Sequence, residues 1–413
     1  MGSENPPSGA ICGRERCYGA AVLRWGLAAC AVLALLAVPA GTSAPAPARP
    51  PAILITGHGW GHGVGMSQWG AYGYALHGWS APKILAHYFP GTTLGNDTPT
   101  TVHVLLVDGA PSVSVGSAAR WRLLDAAGTR IRLRAGDIEL QPSLKLKDSR
   151  LVWPLTLQAG AAPLELDGKP YRGVLEVIAD GAGIDVVNTV SLEQYLPGVV
   201  GEEVPAAWPA AALEAQAIAA RSYALHQIEK APASTTFDLY PDGRDQVYGG
   251  IDAESPAVRQ AVAATARRIV LYDGSVALTY FSSSSGGMTA DAADVIGFDV
   301  PYLVSVPDPW DSYSPNHEWG PIKLSARAAG KALGLPAPVL DLELQAAPDG
   351  RVVSVTATTA KGQVTLTGAQ VRDDLKLRSS WFQVALLAPG HTIRAAPGEV
   401  PLQADGMPVP HAA

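Results

Sequence analysis

The 413-residue chain has only three cysteines, Cys12, Cys17 and Cys30, and none beyond them. A body without cysteine cannot be a disulfide scaffold, a thiol enzyme or a thiolate-ligated metal site. Charge is also sparse. Charged residues make up 16% of the chain, below the roughly 25% usual for soluble proteins, and the net charge is −7. No basic stripe is present, which excludes a binder of phosphate backbones and hence of nucleic acid. Apolar residues, by contrast, reach 47% and there are ten tryptophans, so the bulk of the chain can bury a core and is not intrinsically disordered. The length fits two or so domain-sized units or one elaborated domain.

Long hydrophobic runs are missing except at the N-terminus. There Arg14, Arg16 and Arg24 precede an apolar stretch from Gly26 to Ala40, followed by the small residues Gly41, Thr42, Ser43 and Ala44. This order is that of a secretory signal, with residues 1–44 removed after Ala44 and residues 45–52 forming a Pro/Ala linker. The stretch, about 15 residues, is short of the ~20 that span a bilayer. Extending it back to Tyr18 would bury Arg24, which leaves an uncleaved anchor as the second reading. Leu27-Ala28-Ala29-Cys30 looks like a lipid-attachment box, but most of the apolar run follows the cysteine instead of preceding it. The expectation is a secreted, extracytoplasmic protein that meets the membrane only through this segment, if it is uncleaved. Residues 388–413, rich in proline and small side chains, read as a disordered tail.

The body, residues 53–387, reads as one α+β domain. Alternating runs between residues 99 and 188 predict a mostly antiparallel, β-rich part. Residues 189–335 form a motif-bearing part with helices. One short helix should run from Ser191, in a capping box with Gln194, to Leu196, and a long one should start at Pro209. Helices are also expected over 69–76, 81–88, 254–268 and 322–334, and a hairpin at Asp273-Gly274. Residues 336–387 should close the domain with strands.

Three segments offer chemistry. The first, Gly57 to Gly70, carries His58 and His62 four residues apart. On a helix that spacing could hold zinc, but Gly59 and Gly61 disfavour a helix and no carboxylate follows. The glycines suit close backbone approach, which would present His62, Ser67 and Gln68 to sugar hydroxyls; a structural glycine hairpin explains them equally well. The second segment is Gly201-Glu202-Glu203-Val204-Pro205, two acids between apolar residues just before a helix. A glutamate against apolar groups holds its proton and can donate it. Solvated loop acids near a helix N-terminus are the plainer alternative. The third, Phe281 to Gly287, is a serine-glycine loop without the strand-turn-helix setting of a serine nucleophile. It can offer hydroxyls and amides to a polar ligand, or be a simple turn.

Taken together, these segments resemble the SpoIID/LytB family of bacterial cell-wall proteins, the stage II sporulation protein D and amidase-enhancer group. The resemblance rests on Gly57-His58-Gly59-Trp60-Gly61-His62-Gly63-Val64-Gly65-Met66-Ser67-Gln68-Trp69-Gly70-Ala71, on His87-Tyr88-Phe89-Pro90-Gly91-Thr92 and on Leu192-Glu193-Gln194-Tyr195-Leu196. It continues through Glu203-Val204-Pro205, Ala220-Arg221-Ser222-Tyr223-Ala224-Leu225, Gln246-Val247-Tyr248-Gly249-Gly250 and Ser283-Ser284-Ser285-Gly286-Gly287. The resemblance implies a protein that binds peptidoglycan glycan strands in a groove between a β-rich body and a helical subdomain. It implies a lytic transglycosylase, which cuts the strand and closes a 1,6-anhydro ring. Its catalytic acid falls on Glu203, with Val204 in the place of the family's methionine. His62, Ser67, Gln68, Arg221, Gln246, Tyr248, Ser283 and Ser285 would hold the sugars. The amidase-enhancer branch implies the alternative, a non-catalytic wall-binding partner of a cell-wall amidase.

Two departures stand out. The glycine-histidine motif comes first here, whereas in sporulation members it comes last, after a strand like that around Trp381 to Val384. The chain thus reads as circularly permuted, which requires residues 53–57 to lie beside residues 380–386. Zinc-bound sporulation members place two cysteines before Gln-Val-Tyr; here Tyr240 and Asp245 take those places, so no metal or other cofactor is expected.

Overall fold

A computed structural model describes residues 52–387 except 147, 148, 182, 233 and 234. The signal and tail expectations lie outside these residues, as does all but the last residue of the linker. The alternation from residue 101 onward becomes a six-stranded antiparallel sheet, in the spatial order 101–110, 183–191, 174–180, 155–158, 121–125, 130–133. A four-stranded sheet built from 113–117, 136–140, 164–166 and 169–171 packs into the same core. Every second residue points inward: Val102, Val104, Leu123, Leu155, Leu157, Leu175 and Val177 are buried with Val113, Val115, Leu140 and Leu164. The fold is therefore α+β.

Helices α1 (Gln68–Leu76), α2 (Ala81–Tyr88), α3 (Leu192–Glu203) and α4 (Ala210–Lys230) lie against this body. The long helix α4 is packed by α1, α2 and α3 and by a further helix, Pro256–Ala264. Its many alanines let neighbours approach on all sides, and Ala215, Ala217, Ala219, Ala220 and Ala224 are fully buried. The hairpin forms at Asp273-Gly274, both with positive φ, between strands Arg268–Tyr272 and Ser275–Val276.

Three expectations are corrected. First, α3 does not stop at Leu196 but runs across Pro197 to Glu203. Burial of Leu192, Tyr195, Leu196, Val199 and Val200 outweighs the one backbone bond that the proline removes. The N-cap Ser191 makes no side-chain cap bond. Second, residues 322–334 divide into the end of a strand, Glu318–Ser325, and a helix, Ala326–Ala332. Third, the closing strands are interrupted by a helix, Gly368–Leu375, whose capping box is Thr367 with Gln370.

A second hydrophobic core gathers residues from both ends of the described chain. Ile53 and Ile55 pack with Trp319, Leu333, Val339, Val352, Val355, Val371 and Phe382. The strand Ala52–His58 sits between Glu318–Ser325 and Phe382–Leu387, antiparallel to both. Ile53 faces Leu386 and Gly57 faces Phe382, so the adjacency that a permuted chain requires is present. Among the described residues no helix is long and apolar enough to cross a membrane.

Candidate active site

The glycine-rich segment leaves the strand Ala52–His58 as an irregular loop in which Gly59, Gly61, Gly63 and Gly65 all take positive φ. At Gly65 a Cβ would lie 2.1 Å from the Tyr280 carbonyl oxygen, and at Gly63 it would strike the Arg351 guanidinium. Only glycine fits either place. The loop is thereby threaded against the serine-glycine segment. Trp60 and Ser284 exchange backbone hydrogen bonds of 2.8 and 3.0 Å, and Met66-Ser67 pairs in parallel with Phe281-Ser282. His58 leans on Trp381, ring centroids 4.9 Å apart, while His62 accepts from the Val64 amide and meets Tyr280 edge-on.

The loop ends at Ser67, the N-cap of α1, whose hydroxyl accepts from the Gly70 amide at 3.0 Å. The next residue, Gln68, reaches across to the last residue of α3. Its amide nitrogen donates to Glu203 Oε2 at 2.8 Å. The other carboxylate oxygen has only a long contact, 3.4 Å, from the Val247 amide. Glu203 is 4% exposed, with Val199, Val200 and Val204 buried nearby in the chain. Burial raises its pKa from 4.5 to about 7, aided by the charge of Glu202 and opposed by the bonds from Gln68 and Val247. A carboxyl poised there can give up a proton and take one back near neutral pH.

Beneath Ser67 lies a second acidic centre that the sequence reading passed over. Asp311 accepts from the hydroxyls of Ser67 and Ser284, both at 2.8 Å, and from the amides of Ser285 and Gly286, both at 2.9 Å. His317 Nδ1 lies 3.0 Å from the same carboxylate, which raises the histidine pKa. Asp308 accepts from Tyr88 at 2.9 Å and Ser285 at 2.7 Å. Burial, with Asp311 close by, raises its pKa to about 7. The available signal was the pair of acids flanking proline and tryptophan in Asp308-Pro309-Trp310-Asp311, within a chain short of charge.

The expected sugar-holding residues divide accordingly. Gln68 meets Glu203, and Ser67 and Ser285 meet the Asp308–Asp311 centre. Ser283 is buried, and its carbonyl accepts from the Trp69 amide. Arg221 is fully buried, clamped to Glu193 by bonds of 2.8 and 2.9 Å and bonded to the Ala217, Val262 and Arg268 carbonyls. Its whole donor set is spent on scaffold, so it does not line a groove. Gln246 donates to the Ala220 carbonyl, and Tyr248 donates to Asn188 while packing on Tyr195. These two brace the segment that brings Val247 to Glu203.

The places of the zinc cysteines do not suit a metal. Asp245 accepts from Tyr223 at 3.1 Å, from Gln227 at 3.0 Å and from the Tyr240 amide at 2.8 Å, so both its oxygens are engaged. The Tyr240 ring carries the Arg244 guanidinium 3.6 Å from its centroid. A hydrogen-bonded carboxylate holds this loop together.

The profile of the SpoIID family, stage II sporulation protein, matches residues 180–272, the stretch containing α3, Glu203 and α4. That stretch of the chain is similar to the family. It is 30% identical to the amidase enhancer of Bacillus subtilis, over 47% of this chain and 26% of that protein. It is 29% identical to stage II sporulation protein D of Bacillus amyloliquefaciens, over 48% of this chain and 61% of the relative. An uncharacterised protein of Brachyspira hyodysenteriae is 41% identical over 34% of this chain and 38% of its own length. The chain thus spans between about a quarter and three-fifths of the length of the curated relatives it matches. These likenesses agree with the SpoIID/LytB reading of its motifs.

Proposed function

We propose that this protein acts outside the cytoplasm on the glycan strands of peptidoglycan, as a lytic transglycosylase with Glu203 as its single acid and base. The observation that carries the reading is the buried Glu203 carboxyl, raised to about 7 and held by Gln68 from the glycine loop. Protonated Glu203 donates to the glycosidic oxygen as the C1–O bond breaks and positive charge develops at C1 and the ring oxygen. The sugar's own 6-hydroxyl attacks C1 and releases its proton to the Glu203 carboxylate, which closes the anhydro ring and restores the acid. Because the nucleophile belongs to the substrate, a second catalytic carboxylate is not required. The match to a stage II sporulation protein D supports a cell-wall role.

The likeness to an amidase enhancer supports a second reading, in which the chain binds the wall and stimulates a partner amidase without cutting glycan. Incubating the purified protein and its Glu203→Gln variant with glycan strands stripped of stem peptides separates the two. Anhydro-ended fragments from the parent alone support the enzyme. Binding without product from either protein overturns it and supports the enhancer.

A further inference from the structure

Six aromatic rings form a linked group that begins at the residue after Gln68, the hydrogen-bond partner of Glu203. Trp69 directly follows Gln68, and Trp208 lies five residues beyond Glu203. Their ring centroids are 5.1 Å apart, and Tyr72 touches both, at 5.4 Å from Trp69 and 5.0 Å from Trp208. Tyr72 leads to Tyr313 at 5.9 Å, Tyr313 to Trp310 at 6.5 Å, and Trp310 stacks on His77 at 3.6 Å. None of these six side chains is buried, and Tyr313 is 44% exposed.

The track is built, not incidental. Trp69 and Tyr72 are three residues apart on α1, so both stand on one side of the helix. The turn Pro309–Tyr313 supplies Trp310 and Tyr313 and lies against the same helix. Glycine allows it to come so close: at Gly73 a Cβ would lie 2.6 Å from Trp310 Cβ and 3.0 Å from the Tyr313 ring, and at Gly70 it would strike the Asp308 carboxylate. The buried Asp308–Asp311 pair anchors the start of that turn from below. Rings fixed by mutual contact lose little freedom on binding.

We infer that this aromatic track is a glycan-binding surface that carries the polysaccharide strand away from Glu203. Pyranose rings present apolar C–H faces that stack on aromatic faces, while their hydroxyls stay wet or pair with indole N–H and phenol O–H groups at the ring edges. Trp69, Tyr72 and Trp208 form one three-ring cluster and His77, Trp310 and Tyr313 a second, linked through Tyr72 and Tyr313. The rings themselves are neither acidic nor basic like Asp, Glu, Lys or Arg, which suits the apolar faces of sugar rings better than a charged peptide. The inference rests on the glycan reading proposed above, and the test keeps the two apart.

In the Glu203→Gln background, where ligand is not consumed, binding of N-acetylglucosamine oligomers of three to six units is measured by tryptophan fluorescence and calorimetry. The variants are Tyr313→Ala, Trp310→Ala and the conservative Trp310→Phe, with Phe298→Ala as an exposed control outside the track. We expect Tyr313→Ala and Trp310→Ala to weaken the hexamer by about tenfold, or about 1.4 kcal/mol, with a smaller effect on the trimer. Trp310→Phe should recover most of the loss, and Phe298→Ala should change nothing. Folded variants that bind the hexamer as tightly as the Glu203→Gln protein overturn the inference. Variants that keep glycan affinity but lose stimulation of an amidase overturn it in favour of a protein-docking face. If the parent cuts no glycan while the track variants still lose affinity, the catalytic reading fails and the track stands.

Discussion

Among the buried acids of the described residues, Glu203 and the Asp308–Asp311 pair are joined through adjacent residues, and Glu203 and Asp311 are satisfied to very different degrees. Asp311 accepts from two hydroxyls and two amides and also lies beside His317. Glu203 accepts one good hydrogen bond, from Gln68, and one stretched contact. A buried carboxylate ringed by donors is fixed in place and serves as architecture; one left short of donors, such as Glu203, is pushed toward its protonated form and kept available for chemistry. Ser67 and Gln68, neighbours in the chain, serve one centre each. The same glycine loop therefore supports the fold and the proposed acid at once.

Substitution should separate the two centres. Glu203→Gln should reduce glycan cleavage by about a hundredfold to ten-thousandfold, the usual range for a lost general acid, while the melting temperature stays close to that of the parent. Loss of both activity and cooperative melting would place Glu203 among the architectural acids. Asp311→Ala should do the opposite, removing about 3 to 5 kcal/mol of stability because several buried donors lose their acceptor together. Denaturant titration checks it, and a loss below 1 kcal/mol would break the contrast.

The pH dependence sharpens the comparison further. The folded pKa of Glu203 lies above its ordinary value, so its contribution to stability is full below pH 4.5 and is lost as pH rises toward about 7. Stability should fall across that window by of order 3 kcal/mol, with Asp308 adding to the slope in the same direction. Glu203→Gln should flatten the Glu203 share of the slope. Activity, which needs the protonated acid, should decline as pH rises through about 7. The smallest effect is expected from Gln68→Leu. Removing a bond that favours the anion should move that decline to higher pH, a displacement read from the rate profile.

Much of this arrangement was legible in the sequence because its causes are local. Alternation from residue 101 dictated the antiparallel body and Asp273-Gly274 dictated a hairpin. The carboxyl neighbouring Val199, Val200 and Val204 could be suspected from its apolar surroundings. Its partner could not, since Gln68 lies 135 residues away in the chain. Nor could burial of Arg221 be read from the alanine-rich helix that carries it; the guanidinium is held by Glu193 on α3. The extension of α3 through Pro197 escaped for the same reason, because tertiary burial outweighed a local helix breaker. Asp311 was invisible because its ligands come from loops at 67 and 284–286, which only the completed fold brings together.

The strand Ala52–His58 has one more consequence, which concerns timing. It is held between two partners that both lie in the last quarter of the described chain, residues 318–325 and 382–387. During synthesis this strand emerges early, but its two neighbours are made only with residues 318–325 and 382–387. A chain that stopped short of residue 382 would leave Ile53 and Ile55 without one neighbouring strand, so the second core closes only when both ends of the described chain are present.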